Sequence, residues 1–187
     1  MNAIRPTQLD DAAAVAKCID TIAKERRFIA SVRGYSKEET RSYIEYLKQS
    51  DGVHLVVVVT NQIAGWCDIA PGIFDGLNHV GHLTMGLLNQ HRGQGWGKKL
   101  LATALRAAFS KNIERIELYV FASNTQAIEL YRHAGFQQEG IKRKARKLDQ
   151  KYDDILVFGL LKEEWEKSTI ANFAEHKTDW SFALKKA

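Results

Sequence analysis

Apolar positions recur along this chain with two different periods, and the changes of period divide it into elements. Val15, Cys18, Ile19 and Ile22 fall at helical spacing and predict a first amphipathic helix, entered through the helix-start residues Thr7 to Asp11. Ahead of it, Ile4-Arg5-Pro6 reads as a short strand, because the residue before a proline is pushed toward extended backbone. Ser36 with Glu39 three residues later is a capping-box pattern. It opens a second helix with Tyr43, Ile44 and Leu47 on its apolar side and Asp51-Gly52 at its end. Val53 to Thr60 is a β-branched run, Asn61-Gln62 a turn, and Ile63 to Ile69 a second strand, so the pair predicts an antiparallel hairpin. After a loop from Pro71 to Gly76, His79 to Leu88 is the next strand. Leu100, Leu101, Ala104, Leu105, Ala108 and Phe109 then form an apolar stripe of helical period. From Glu114 the period becomes two, with Ile116, Leu118 and Val120 on one face of a strand. Ser123 and Gln126 repeat the capping-box pattern before a short helix that ends at Gly135, and Phe136 to Arg143 and Ile155 to Leu161 read as two last strands.

This order predicts one mixed α/β domain, without a regular βαβ alternation and without internal repeats. The domain is expected to span residues 1–161. Trp165, Phe173, Trp180 and Phe182 make the remaining 162–187 too aromatic for an ordinary disordered tail, and the expectation is an extension packed on the domain or on a partner subunit.

Composition narrows the class. With 187 residues, 45% of them hydrophobic and 26% charged, the chain buries a sizeable core, and no apolar run approaches the ~18 residues of a membrane span. Arg5, Asp10 and Asp11 interrupt the N-terminus where the apolar part of a signal peptide would lie. Cys18 and Cys67 are far apart and in no metal-ligand spacing, so neither a disulfide framework nor a metal site is expected, and a reducing cytoplasm fits best. A net charge of +5 points to an anionic partner without choosing among nucleic acid, membrane and phosphorylated small molecule.

The position of the charge decides more. Gly93, Gly95 and Gly97 alternate between a strand and a helix, where free backbone N–H groups and the positive end of the helix dipole face outward together. Arg92, Lys98 and Lys99 add charge at the same end, so a di- or polyphosphate is the natural guest. The spacing is neither GxGxxG nor GxxxxGK followed by Ser or Thr, which leaves NAD and ATP unsupported.

Arg92-Gly93-Gln94-Gly95-Trp96-Gly97 matches the (Gln/Arg)-x-x-Gly-x-(Gly/Ala) loop of the GNAT superfamily of N-acetyltransferases. Asn124-Thr125-Gln126-Ala127-Ile128-Glu129-Leu130-Tyr131-Arg132-His133-Ala134-Gly135-Phe136 resembles that superfamily's second signature, Asn-x-x-Ala-x-x-Leu-Tyr-x-x-x-Gly-Phe. The two occur in the family's order, and the resemblance runs from about Ile4 to about Leu161. It implies a mostly antiparallel central sheet flanked by helices, acetyl-CoA as cosubstrate and no metal. Carried across, the Arg92 to Lys98 loop, with Gly93, Gln94, Gly95 and Gly97, holds the pyrophosphate of coenzyme A. Backbone near Met85 and Leu87 bonds pantetheine and polarises the thioester oxygen, and Asn124 contacts pantetheine; a plain helix-capping asparagine is an equal reading of Asn124. Splaying of the strand before the loop from the strand after it is likewise implied by the resemblance.

An alkylammonium of pKa ~10.4 is only ~0.04% neutral at pH 7, a deficit of roughly 4–5 kcal/mol, so a base or a site that lowers the amine pKa is required. The leaving thiolate benefits from a proton, for which Tyr131 is the donor that matches the family. Many relatives carry a glutamate on the strand before the loop, but His79 to Asn89 holds no carboxylate. His82 is therefore the candidate base, with His79 and a water chain to Asp68 or to backbone carbonyls as alternatives. Neither cysteine lies at a signature position, so direct attack in a ternary complex with a primary amine is expected. The alternative is a non-catalytic acetyl-CoA sensor or interaction module.

Glu25, Glu38, Glu39, Glu45, Asp153 and Asp154 are candidates to attract a cationic acceptor such as a polyamine, an aminoglycoside or a protein N-terminus, although solvated helix faces explain any one of them. The basic run Lys142 to Lys147 contains no aromatic stacking platform and reads as a solvated edge or an acidic-ligand contact, which disfavours nucleic acid. Oligomeric state is not readable, although edge strands and an aromatic tail are compatible with a homodimer.

Overall fold

A computed structural model describes residues 2–168. Seven strands form one sheet: β1 (Ala3–Pro6), β2 (Val53–Val59), β3 (Gln62–Pro71), β4 (Val80–Leu87), β5 (Arg115–Phe121), β6 (Gln137–Leu148) and β7 (Lys151–Leu161). They lie in the order β1-β2-β3-β4-β5-β7-β6, antiparallel at every neighbouring pair except β4 and β5, which run parallel. Five α-helices accompany them: α1 (Ala12–Lys24), α2 (Lys37–Gln49), α3 (Trp96–Phe109), α4 (Thr125–His133) and the short α5 (Lys162–Glu166). This is the mixed, mostly antiparallel architecture expected from the sequence.

Alternation along the strands feeds two cores on opposite faces. Val56 of β2 and Trp66 of β3 pack with Val15, Cys18, Ile19 and Ile22 of α1, the residues whose spacing predicted that helix. Their strand neighbours Leu55, Val57 and Cys67 turn to the other face, into the core that contains the stripe Leu100, Leu101, Ala104, Leu105 and Ala108 of α3. Trp165 of α5 is buried in that same core, 6.3 Å from the ring of Phe109. It belongs to the segment expected to pack on the domain; Phe173, Trp180 and Phe182 lie outside the described residues.

The Ser36–Glu39 capping box is formed, with Ser36 Oγ accepting from the Glu39 amide and the Glu39 carboxylate accepting from the Ser36 amide. Three local expectations are corrected. Asn124, not Ser123, caps α4, its side chain accepting from the Ala127 amide at 3.3 Å, while the Ser123 hydroxyl turns to Asp153. The β2–β3 turn falls on Thr60 and Asn61, both at positive φ, which leaves Gln62 paired with Val59. The last hairpin is longer than expected on both arms, and Asp149 and Gln150 at positive φ form its two-residue turn. The basic run therefore lies inside β6, an edge strand.

Candidate active site

β4 and β5 pair through only Val80–Arg115, Gly81–Ile116 and His82–Glu117. Beyond that point β4 follows β3 and β5 follows β7, so the two strands part, as the family resemblance implies. The β4 edge facing the gap carries backbone N–H and C=O groups that no strand pairs, which makes it a template for an extended guest. The gap opens into a cleft of about 620 Å³, lined by Met85, Leu87, Gly93, Gly95, Gly97 and Lys98 toward one end. Asn124 and Tyr131 of the second signature line the same cleft.

At the loop end, Gly93 and Gly95 adopt φ of 71° and 81°, a backbone that glycine enters without penalty. This turn delivers the chain into α3 with Gly95 as its capping residue, and the first helical bond runs from the Lys99 amide to the Gly95 carbonyl at 3.2 Å. The amides of Trp96 and Gly97, in the first turn, have no intrahelical acceptor and carry the positive end of the dipole. A Cβ at Gly93 or Gly95 meets no protein atom within 4 Å, so the ground in front of the loop is open.

Arg92 lines the same cleft, and its guanidinium is engaged by protein groups. Its guanidinium donates to both oxygens of Glu25 at 2.6 and 2.7 Å and to the Leu87 carbonyl at 2.9 Å, and it lies 4.5 Å from the Phe28 ring centroid. Its charge is paired with a carboxylate 67 residues away, and Lys98 and Lys99 place further positive charge at the loop. Gln94 folds back to donate to the Gln90 carbonyl at 2.8 Å and does not line the cleft.

Tyr131 is 7% exposed and packs edge-on against Phe136 at 5.7 Å. No described residue bonds its hydroxyl, and no buried side-chain polar atom among the described residues lacks a partner. The hydroxyl is therefore the part of this side chain that reaches the cleft. Burial raises its pKa above the ordinary phenol value, which keeps it protonated and able to donate.

His82 sits where β4 and β5 begin to part, with Nδ1 3.0 Å from Glu117 Oε1, and is not among the residues lining the cleft. Glu117 also faces Arg115, itself bound to Glu139. The carboxylate missing from β4 thus lies next door on β5, a neighbour visible only once strand order is known. Two residues along β4, Thr84 does line the cleft and donates its hydroxyl to Asp68 Oδ1 at 2.6 Å. Asp68, 2% exposed, also accepts from Tyr43 Oη at 2.9 Å and Trp66 Nε1 at 3.2 Å. Burial pushes its carboxyl up to about 6, against the lowering effect of these three bonds.

Among the described residues no Asp or Glu lines the cleft. Of the six carboxylates considered for acceptor binding, Glu25 holds Arg92, Glu39 closes the capping box and Glu45 pairs with Arg41. Asp153 accepts from Ser123 and Asp154 from the Lys144 amide, and Glu38 is outside the lining. Ile22, Phe28, Ile29, Tyr119, Phe121 and Ile155 give the cleft an apolar share of its lining, beside the polar Thr84, Asn124 and Gln126. Two cations of the basic run sit on its rings, Lys142 at 3.9 Å from Tyr119 and Arg146 at 4.4 Å from Phe121, so that run does have aromatic partners, on β5 across the intervening β7.

The family model of the acetyltransferase (GNAT) family matches residues 19–136. An uncharacterized N-acetyltransferase p20 of Bacillus licheniformis is 29% identical over 118 residues, which are 63% of this chain and 65% of that relative's own length, just under two thirds of it. An acetyltransferase of the GNAT family from Streptococcus pneumoniae superposes with a TM-score of 0.80 at 23% identity, over 86% of this chain and 99% of that one. The structure of yncA from Salmonella typhimurium with its cofactor acetyl-CoA superposes with a TM-score of 0.81 at 18% identity, over 86% and 93% of the two chains. These superpositions establish the shared fold, and the matched family model spans more than half of the sequence. The chain belongs to the acetyltransferase (GNAT) family.

Proposed function

We propose that this chain transfers the acetyl group of acetyl-CoA to a primary amine by direct attack in a ternary complex. The observation that carries the reading is the parting of β4 from β5 into a cleft with a glycine-turned helix N-terminus at one end and the Tyr131 hydroxyl on its wall. The donor set fits coenzyme A: the amides of the α3 first turn with Lys98 and Lys99 suit its phosphates, and the unpaired β4 edge near Met85 and Leu87 suits the amides of pantetheine. When bound, acetyl-CoA supplies an activated acyl group on a thioester. In this reading Tyr131 gives the departing sulfur a proton, and an amide of β4 holds the thioester oxygen.

Direct attack is supported by the two thiols. Both are buried, and burial drives Cys18 up to about 12 and Cys67 well above its ordinary value, so neither offers a thiolate to carry an acyl group. Two unpaired thiols also suit a cytoplasmic setting. For the acceptor, a cleft whose described lining residues include large apolar side chains and no carboxylate, with cations over Tyr119 and Phe121, favours a monoamine on an apolar body over a polyamine, whose second ammonium would meet no carboxylate among them. Initial rates over a panel of primary amines at varied acetyl-CoA test the mechanism. Intersecting double-reciprocal lines are expected, and parallel lines would establish a covalent acyl-enzyme instead.

A further inference from the structure

The proposed transfer needs a proton acceptor for the amine, and the cleft wall holds one polar side chain whose own proton is already committed elsewhere. Thr84 lines the cleft and its Oγ gives its hydrogen to Asp68 at 2.6 Å, so the capacity left on that oxygen is that of an acceptor. Behind it, Asp68 has no solvent contact of its own beyond 2% exposure and is held by Tyr43 and Trp66 as well. A lone structural carboxylate on a strand between Cys67 and Ile69 is costly to bury, and a route to the cleft through a hydroxyl gives it a use.

We propose that Thr84 receives a proton from the acceptor ammonium while its own hydroxyl proton passes to Asp68, making the pair a relay from the cleft to a buried carboxylate. The inference rests on the acetyl-transfer reading above. The balance is as follows. An ammonium R–NH3+ gives one proton to Thr84 Oγ as the Thr84 proton moves to Asp68, leaving R–NH2. The nitrogen forms its bond to the thioester carbon, the C–S bond breaks, and a second N–H proton reaches the departing sulfur by way of Tyr131. The third stays on the amide, and after the product leaves, Asp68 returns its proton through Thr84 to water in the cleft before the next cycle.

The groups facing Asp68 are compatible with that traffic. Tyr43, from α2, keeps its proton because burial and the neighbouring Asp68 raise its phenol. His54, the cross-strand partner on β2, is held neutral because burial lowers it to about 4, and its Nδ1 is engaged by Thr7 at 2.7 Å. Cys67, adjacent on β3, is raised by burial and stays a thiol.

The test compares Thr84→Val, Thr84→Ser and Asp68→Asn with the unaltered chain, using acetyl-CoA and an amine from the panel that turns over. Thr84→Val is expected to lower kcat about 10²-fold with acetyl-CoA Kd unchanged, and Thr84→Ser to restore it to within a few-fold. Asp68→Asn should erase the inflection near pH 6 on the acidic limb of kcat/KM, and adding it to Thr84→Val should cost little more, because the two act as one unit. Carboxyl-carbon NMR of the ligand-free protein supplies a readout independent of turnover. One buried Asp should titrate near pH 6 and move upward in Thr84→Val, which loses a bond to the anion. Wild-type kcat in Thr84→Val, or an unmoved titration there, overturns the relay even if Asp68→Asn fails to fold. Absence of turnover with any amine in the unaltered chain would instead count against the acetyl-transfer reading itself.

Discussion

The guanidinium of Arg92 and the carboxylate of Glu25 form a two-bonded pair, at 2.6 and 2.7 Å, that fastens the end of α1 to the start of the glycine loop. Both side chains are about three-quarters buried, at 21% and 25% exposure, so the pair is not a screened surface contact. A double-mutant cycle of Glu25→Ala and Arg92→Ala should give a coupling of roughly 1–3 kcal/mol by urea unfolding. Arg92→Lys should not restore it, since an ammonium lacks the planar fork that meets both oxygens. A coupling near zero would mean the pair forms without holding the loop.

Tyr131→Phe keeps the ring that packs on Phe136 and removes only the hydroxyl that reaches the cleft. The expected result is a loss of kcat of about 10²-fold with acetyl-CoA affinity nearly kept, read by steady-state kinetics and calorimetry. Unchanged kcat would remove the proton-donor role.

Gly95→Val introduces a Cβ that meets nothing in the protein but stands on a residue with φ of 81° and on the open ground before the helix N-terminus. Backbone strain alone should cost roughly 1–2 kcal/mol of stability. Acetyl-CoA affinity, measured on the folded fraction, should fall by more than strain explains, because the branch blocks close approach of a phosphate. Affinity equal to the unaltered chain would contradict a phosphate seat at this loop.

Two buried groups, His54 and Asp68, make opposed contributions to the pH dependence of stability. His54 is lowered from 6.5 to about 4, so between those values the unfolded chain binds more protons and stability is lost as pH falls. Asp68 is raised from 3.8 to about 6, so over that range the folded chain binds more protons and stability is lost as pH rises. Each amounts to about 3 kcal/mol when complete, and from pH 4 to 6 they nearly cancel. Urea unfolding should show stability climbing with pH in Asp68→Asn and falling with pH in His54→Gln over that window. Parallel curves for the two variants would contradict the assignment.

Elements carried by local periodicity were legible in the chain. Val15 to Ile22 and Leu100 to Phe109 repeat with the helical period, and the packing simply buries the stripe each pattern defines. Asn124 and Tyr131 were legible because a motif fixes their place relative to the glycine loop. The length of β6 was not, since nearly every position of this edge strand is exposed and leaves no apolar alternation to read. The pairs Arg92–Glu25, His82–Glu117 and Thr84–Asp68 were hidden for one shared reason. Their members lie 67, 35 and 16 residues apart; strand register brings together His82–Glu117 and Thr84–Asp68, and the packing of the end of α1 beside the loop brings together Arg92–Glu25. Asp68 did leave a trace, a charge in the middle of an apolar strand, which burial makes costly unless it is bonded.

The most direct test of acetyl transfer in the β4–β5 cleft is a stoichiometric assay with acetyl-CoA and a hydrophobic monoamine, in which released thiol and acetylated amine are quantified together. The account predicts equal amounts of the two, saturation in both substrates and no release without amine. Saturable acetyl-CoA binding with no thiol released on any amine would contradict it and leave a sensor on the same fold.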